Sequence, residues 1–385
     1  MTFITDPLYV STVLLFLVAM SAWLSGIGWF RHIGAALTVI IAAAILANVG
    51  LIPSSSNAPP LYDAIFRFIA PLAIFFLLLD VKLIDIRKAG APMLILCLIG
   101  SACTIVGVVA GFWLLAPGGY GIEKPFALAG MFTGTYIGGS VNLTAVALHY
   151  GVTREGTLFA AINAADNIIT TAWIIATLVL PRLLQRWWPR GAAPVPAVPA
   201  SEVASAHRSL SKDHVDVIDI ALLLALGTAT LLASHVVSRY LPALPSVITL
   251  TTLALLLAQL RAVQQLQGAR MLGQLTVLLF LAVIGAHCDI AALVANGEVA
   301  LMLLAWVTIA VGLHGLLIFI LGGVFKRDWA MISIASNANV GGAATAGVLA
   351  TSIDRDDLRL PGVLVGAVGN AIGTYLGILV AEFLR

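Results

Sequence analysis

The residues best placed to do chemistry lie in "INAADNIITTAW". There Asn163, Asp166, Asn167 and Thr170 follow i, i+3, i+4, i+7 spacing and share one helical face. They supply a carboxylate, two amides and a hydroxyl: hard oxygen ligands for a small cation, or a carboxylate able to carry a proton. A buried Asp satisfied by neighbouring amides is the plainer alternative. The setting favours a functional role. Of 385 residues, 61% are hydrophobic and 10% charged, whereas a soluble domain carries about 25% charged residues. The chain therefore reads as an all-α polytopic membrane protein, and a carboxylate inside an apolar segment is costly unless it serves a purpose.

A second set of polar residues interrupts the apolar pattern in "TYIGGSVNLTAVALHYG" and again in "NANVGGAATAGVLATSID". Each holds a Gly-Gly pair among hydroxyls and amides. The candidate substrate-binding residues are Thr135, Gly138, Gly139, Ser140 and Asn142 in the first. In the second they are Asn337, Asn339, Gly341, Gly342 and Thr345. Backbone that leaves helical geometry inside a membrane must be buried in protein or line a wet cavity, and glycine supplies the φ freedom. The alternative is that these glycines only allow tight helix packing.

Twelve apolar elements position these residues: 8–29, 33–52, 62–80, 91–116, 126–150 and 157–181, then 217–238, 244–260, 271–290, 298–324, 329–351 and 361–383. Most approach the ~20 residues that a bilayer requires. The Pro-, Ala- and Ser-rich stretch between the sixth and seventh reads as a flexible linker. The expected division is 1–184 for a first repeat, 185–216 for a cytoplasmic linker and 217–385 for a second repeat.

An offset of 203 residues relates the halves. It carries Gly138 and Gly139 onto Gly341 and Gly342, Asn167 onto Asn370, and Thr171 onto Thr374; one residue of slack carries Asp85 onto Asp289. Asp166 meets Gly369, so the repeat is broken at one carboxylate. Asn370 and Thr374 join Asp166, Asn163, Asn167 and Thr170 as candidate ion-coupling residues.

Loop charge then bears on how the chain crosses. If all twelve elements span, the Lys and Arg divide twelve against eight; if elements five and eleven dip in and return, they divide fifteen against five. Cytoplasmic loops hold the excess of Lys and Arg, so the second arrangement is expected. Each half then has five transmembrane helices plus one Gly-rich re-entrant segment. Five is odd, so the halves form inverted repeats with both termini on the outer face. Helix halves meeting near the midplane are how secondary transporters build binding sites.

His314 reads as a hydrogen-bonded packing residue ahead of a proton relay. Cys97, Cys103 and Cys288 read as small core residues, and Glu123 and Lys124 as solvated loop residues. Asp80, Lys82, Asp85, His287 and Asp289 lie at element ends, where interface pairing suffices. No nucleophile elbow, phosphate-binding loop or zinc-protease helix is present, so no enzyme is expected. No basic tract points to nucleic acid.

The Gly-Gly segments, the "NVGGAATAGVLA" run and the "ADN" helix resemble the bacterial membrane family labelled domain of unknown function 819, over nearly the whole chain. More distantly, the architecture is similar to the sodium:glutamate symporter and 2-hydroxycarboxylate transporter folds. The resemblance implies an ion-coupled secondary transporter of the bacterial inner membrane, its substrate a small polar metabolite and its coupling ion sodium or a proton. It implies no other cofactor; a homodimer is an open expectation. Neither Gly-Gly segment carries an Arg to grip a carboxylate, so helix N-termini would have to take that role. A cation/proton antiporter and a non-transporting membrane regulator of cell-wall enzymes stand as alternatives.

Overall fold

The computed structural model describes residues 5–28, 30–54, 57–79, 81, 88–190, 216–241, 244–288 and 297–385. Among these residues the long elements are all helices and no strand occurs. The first half contains α1 (Pro7–Leu24), α2 (Phe30–Asn48), α3 (Pro60–Leu78), α4 (Ala91–Leu115), α5 (Pro125–Gly138), α6 (Ser140–Tyr150) and α7 (Gly156–Trp187). The second contains α8 (Val217–Tyr240), α9 (Ser246–Leu257), α10 (Ala269–Ala286), α11 (Gly297–Val324), α12 (Trp329–Val340), α13 (Gly342–Ser352) and α14 (Arg359–Leu384). Most of the expected linker, with Asp80, Lys82, Asp85 and Asp289, lies outside the described residues.

Local chemistry sets several helix starts. Asp6 accepts from the backbone N–H groups of Leu8 and Tyr9 at 2.9 and 3.1 Å, with Pro7 in the first turn of α1. Asp328 accepts from Ala330 N at 3.0 Å and opens α12. Within α3, a π turn over Ile65–Ile69 precedes Pro71, whose missing N–H cannot continue the regular ladder.

Eight of the described helices are long and apolar enough to cross a membrane, and two shorter apolar ones fall in α2 and α9. The chain is an all-α polytopic membrane protein. The two Gly-Gly segments behave differently: each breaks into two helices that fold back. A straight helix of ~25 residues would hold its ends ~37 Å apart. Instead Lys124, just before α5, donates from Nζ to the Tyr150 carbonyl at the end of α6, at 2.8 Å. The Phe126 and Tyr150 rings meet edge to face there, with centroids 5.4 Å apart. Lys124 is therefore a clasp on the hairpin rather than a freely solvated loop residue. In the second hairpin Asp328, at the start of α12, is ion-paired with Arg355, just past α13.

Packing is related across the halves. Helix α4 packs on its counterpart α11, α3 on α10, and α5 on α12. Likewise α5 packs on α14 while α12 packs on α7, and α1–α2 is matched by α8–α9. Cys97, Cys103 and Cys288 are all buried and reduced. His287 packs against the rings of Tyr62 and Phe66.

Candidate functional site

The first Gly-Gly pair divides its labour. Gly138 ends α5 against α14, where a Cβ would overlap the Gly369 carbonyl. Gly139 makes the turn with φ 95° and ψ 175°, a region open essentially to glycine alone. Gly138 thus serves the close approach of two helices, and Gly139 the turn. Ser140, exposed, begins α6. Asn142 is buried beneath the turn, and its Oδ1 accepts from Thr374 Oγ1 at 2.7 Å. Its Nδ2 has no hydrogen-bond partner. Asn370, one turn before Thr374 on α14, is half-buried, its Oδ1 facing Gly139.

The other flank of α5 faces Asp166. This carboxylate is buried on α7, with Thr135 and Tyr136 of α5 as polar neighbours. Asp166 Oδ1 and the Tyr136 hydroxyl both lack a hydrogen bond. The two neighbour each other as acceptor and donor, so Asp166 is a carboxylate held near two hydroxyls, where a proton or a cation can be shared. Asn163 and Asn167 donate their amide protons to Phe159 O and Asn163 O, at 2.9 and 2.8 Å. One amide proton of each is held by its own helix. Thr170 is half-buried farther along α7.

The second hairpin is arranged otherwise. Gly341 keeps a near-helical φ of −102°, and Gly342 turns with φ 82°. Thr345 Oγ1 bonds back to Gly342 O at 3.0 Å. Asn337 donates to Thr177 Oγ1 on α7 at 2.9 Å, leaving its Oδ1 unpaired. Asn339 pairs with Ser101 Oγ on α4 at 3.1 Å. These two amides therefore brace the hairpin against its neighbours and do not join the Asn142 cluster. The tips still converge. Within one turn of α14, Gly366 abuts Ala343 of the second hairpin and Gly369 abuts Gly138 of the first.

His314 joins the two hairpins. Its Nδ1 lies 3.0 Å from Gly100 O and 2.9 Å from Thr104 Oγ1, and Thr104 donates to Tyr136 O at 3.0 Å. Its Nε2 lies 2.9 Å from Ser336 Oγ, which also accepts from Trp173 Nε1 at 3.1 Å. A neutral ring protonated on Nδ1 satisfies every member: Nδ1–H donates to Gly100 and Thr104, and Ser336 donates to Nε2.

Sequence reasoning did not select Tyr136, Thr104, Ser101, Thr177 or Ser336. One signal was available: the 203-residue offset that pairs the glycines also pairs Tyr136 with Asn339 and Thr133 with Ser336. Among the described residues no group of three or more His, Cys, Asp or Glu is placed to hold a metal ion.

The family model described as "Protein of unknown function (DUF819)" matches residues 12–385. A relative from Bacillus subtilis (strain 168), "Uncharacterized membrane protein YjcL", is 29% identical over 373 residues, covering 91% of this chain and 89% of the relative.

Proposed function

The chain belongs to the DUF819 family, and from that premise we propose that it is an ion-coupled secondary transporter for a small polar metabolite. The observation that carries this reading is Asp166: a carboxylate buried on α7 beside the Thr135 and Tyr136 hydroxyls of a Gly-turned hairpin. An ion site requires such a carboxylate; a scaffold does not. The coupling ion is sodium or a proton, held by Asp166 with Thr135 and Tyr136.

Substrate would bind where the hairpin tips meet α14, near Asn142, Asn370 and Thr374. The return helices α6 and α13 begin without a side-chain cap, so their N–H groups and positive dipole ends are available to polar or anionic groups. Because each hairpin returns to its side of entry, each half crosses five times and the halves run in opposite orientation. Alternating access would move one half against the other around this site. The proposed location is the bacterial cytoplasmic membrane, with both termini outside.

The test uses sodium itself. The melting midpoint of the purified chain is titrated with NaCl and with KCl at constant ionic strength, at acid and at alkaline pH, for wild type and Asp166→Asn. A sodium-specific rise present in wild type and lost in the variant supports sodium coupling. A pH-dependent difference with no sodium response supports a proton. Identical ion and pH responses in both proteins would remove Asp166 from the mechanism.

A further inference from the structure

A groove of about 650 Å³ runs between the C-terminal halves of α7 and α11, touching the residues above only at Trp173. Its wall is nearly all apolar, from Trp173 and Leu180 to Leu316 and Phe319. Its volume falls within the ~300–1,000 Å³ of small-molecule sites. One end is cationic. There the Arg190 guanidinium lies 3.8 Å from the centre of the Trp329 ring and donates to Arg327 O and Gly323 O at 2.9 and 2.7 Å. Arg190 and Trp329 also line a second, more polar pocket of about 250 Å³, with Arg182, Gln185, Asp328 and Arg355.

The charges in this region do not cancel. Asp328 is engaged by Arg355, which also holds Asp357. Among the described residues no ion pair includes Arg182, Arg190, Lys326 or Arg327. The carbonyls that receive Arg190 fix its position without neutralising it. Trp187 and Trp188 are exposed at the same level, as aromatic side chains are at a membrane–water interface. An apolar channel that faces lipid and opens onto fixed guanidinium groups matches a molecule with a long hydrocarbon chain and an anionic head.

We propose that this groove binds an anionic phospholipid, its acyl chain along Trp173 and Phe319 and its phosphate at Arg190 and Arg182. The site is independent of the transport reading. It has a mechanical consequence for the fold. Trp173 holds Ser336 of α12, and Trp329, anchored to Trp188 O at 2.9 Å, is the first residue of that helix. A lipid seated against both tryptophans braces the second hairpin.

The test uses the full chain in detergent, titrated with phosphatidylglycerol or phosphatidylcholine carrying the same brominated acyl chains, and separately with glycerol phosphate. Tryptophan quenching and the melting midpoint are read. Phosphatidylglycerol is expected to quench and stabilise at a concentration at least about fivefold below phosphatidylcholine, the effect of one interfacial Arg. Arg190→Gln should abolish that preference. Gly312→Phe provides the control for folding: Gly312 lines the groove, and a Cβ there meets nothing within 4 Å. It should not lower the lipid-free melting midpoint, while removing the quenching advantage of phosphatidylglycerol. Equal affinity for the two lipids in wild type would overturn the proposal. So would an undiminished preference in Gly312→Phe, and so would full stabilisation by glycerol phosphate alone.

Discussion

Thr374 Oγ1 donates to Asn142 Oδ1 at 2.7 Å, joining α14 to the start of α6 across 232 positions of sequence. The bond is buried, and the other end of the same amide, Nδ2, has no partner. Thr374→Val keeps the shape and removes the donor, leaving Asn142 Oδ1 unsatisfied as well. The expected cost is about 1–3 kcal/mol, read as a lower melting midpoint of the purified protein. An unchanged midpoint would mean that the hydroxyl and amide do not meet.

The two glycines of the first tip should fail in different ways. Gly138→Ala meets no backbone penalty but drives a methyl into the Gly369 carbonyl, forcing α5 away from α14. Gly139→Ala has room, its nearest neighbour being Asn370 Oδ1 at 3.7 Å. Its cost is the turn conformation, about 1–3 kcal/mol. Gly138→Ala is therefore expected to lower the yield of folded protein more than Gly139→Ala. Equal yields would contradict this division of roles.

Hairpin topology has a direct readout. Cysteines placed at Glu123 and Arg154, on either side of the first hairpin, should be labelled from the same face of the membrane. Cysteines at Lys326 and Asp354, on either side of the second, should be labelled from the opposite face. Finding Glu123 and Arg154 on opposite faces would show that the segment crosses.

His314 is tied to three polar partners between the hairpins. Hydrogen bonds within membrane bundles contribute about 0.6 kcal/mol each on average, so His314→Phe should destabilise by about 2 kcal/mol. Ser336→Ala, which removes one partner, should cost less. If Ser336→Ala costs as much as His314→Phe, the ring is not the hub.

Acid should loosen the far end of the second hairpin. The Arg355 guanidinium, at 2.7 Å, holds the Asp357 carboxyl below its ordinary value of 3.8. A depressed carboxylate stabilises the fold above its unfolded value and loses that contribution as pH falls through the folded one, here from about pH 5 downward. Asp357→Asn should flatten the stability profile in that range. A profile with the same acid slope as wild type would show that Asp357 is not responsible.

What the sequence by itself determined was the membrane class and the two places where helix could not continue, and a repeated 203-residue offset pointed to related halves. Apolar run length, a repeated offset and Gly-Gly pairs are properties of the chain alone. Loop charge also pointed to segments that fold back, because cations remain on one side of a membrane whatever the packing. Spacing put Asn163, Asp166, Asn167 and Thr170 on one face of α7, but a face does not say which helix covers it. That Tyr136 of α5 stands by Asp166 was decided by packing across the fold. The same packing turned Asn337 toward Thr177 and Asn339 toward Ser101, away from the Asn142 cluster. The buried amides take different partners because their surroundings differ: α14 offers Asn142 a hydroxyl at Thr374, while α7 and α4 offer theirs to the amides of α12. An amide buried among helices must take the partner within reach, and only the assembled structure determines which partner that is.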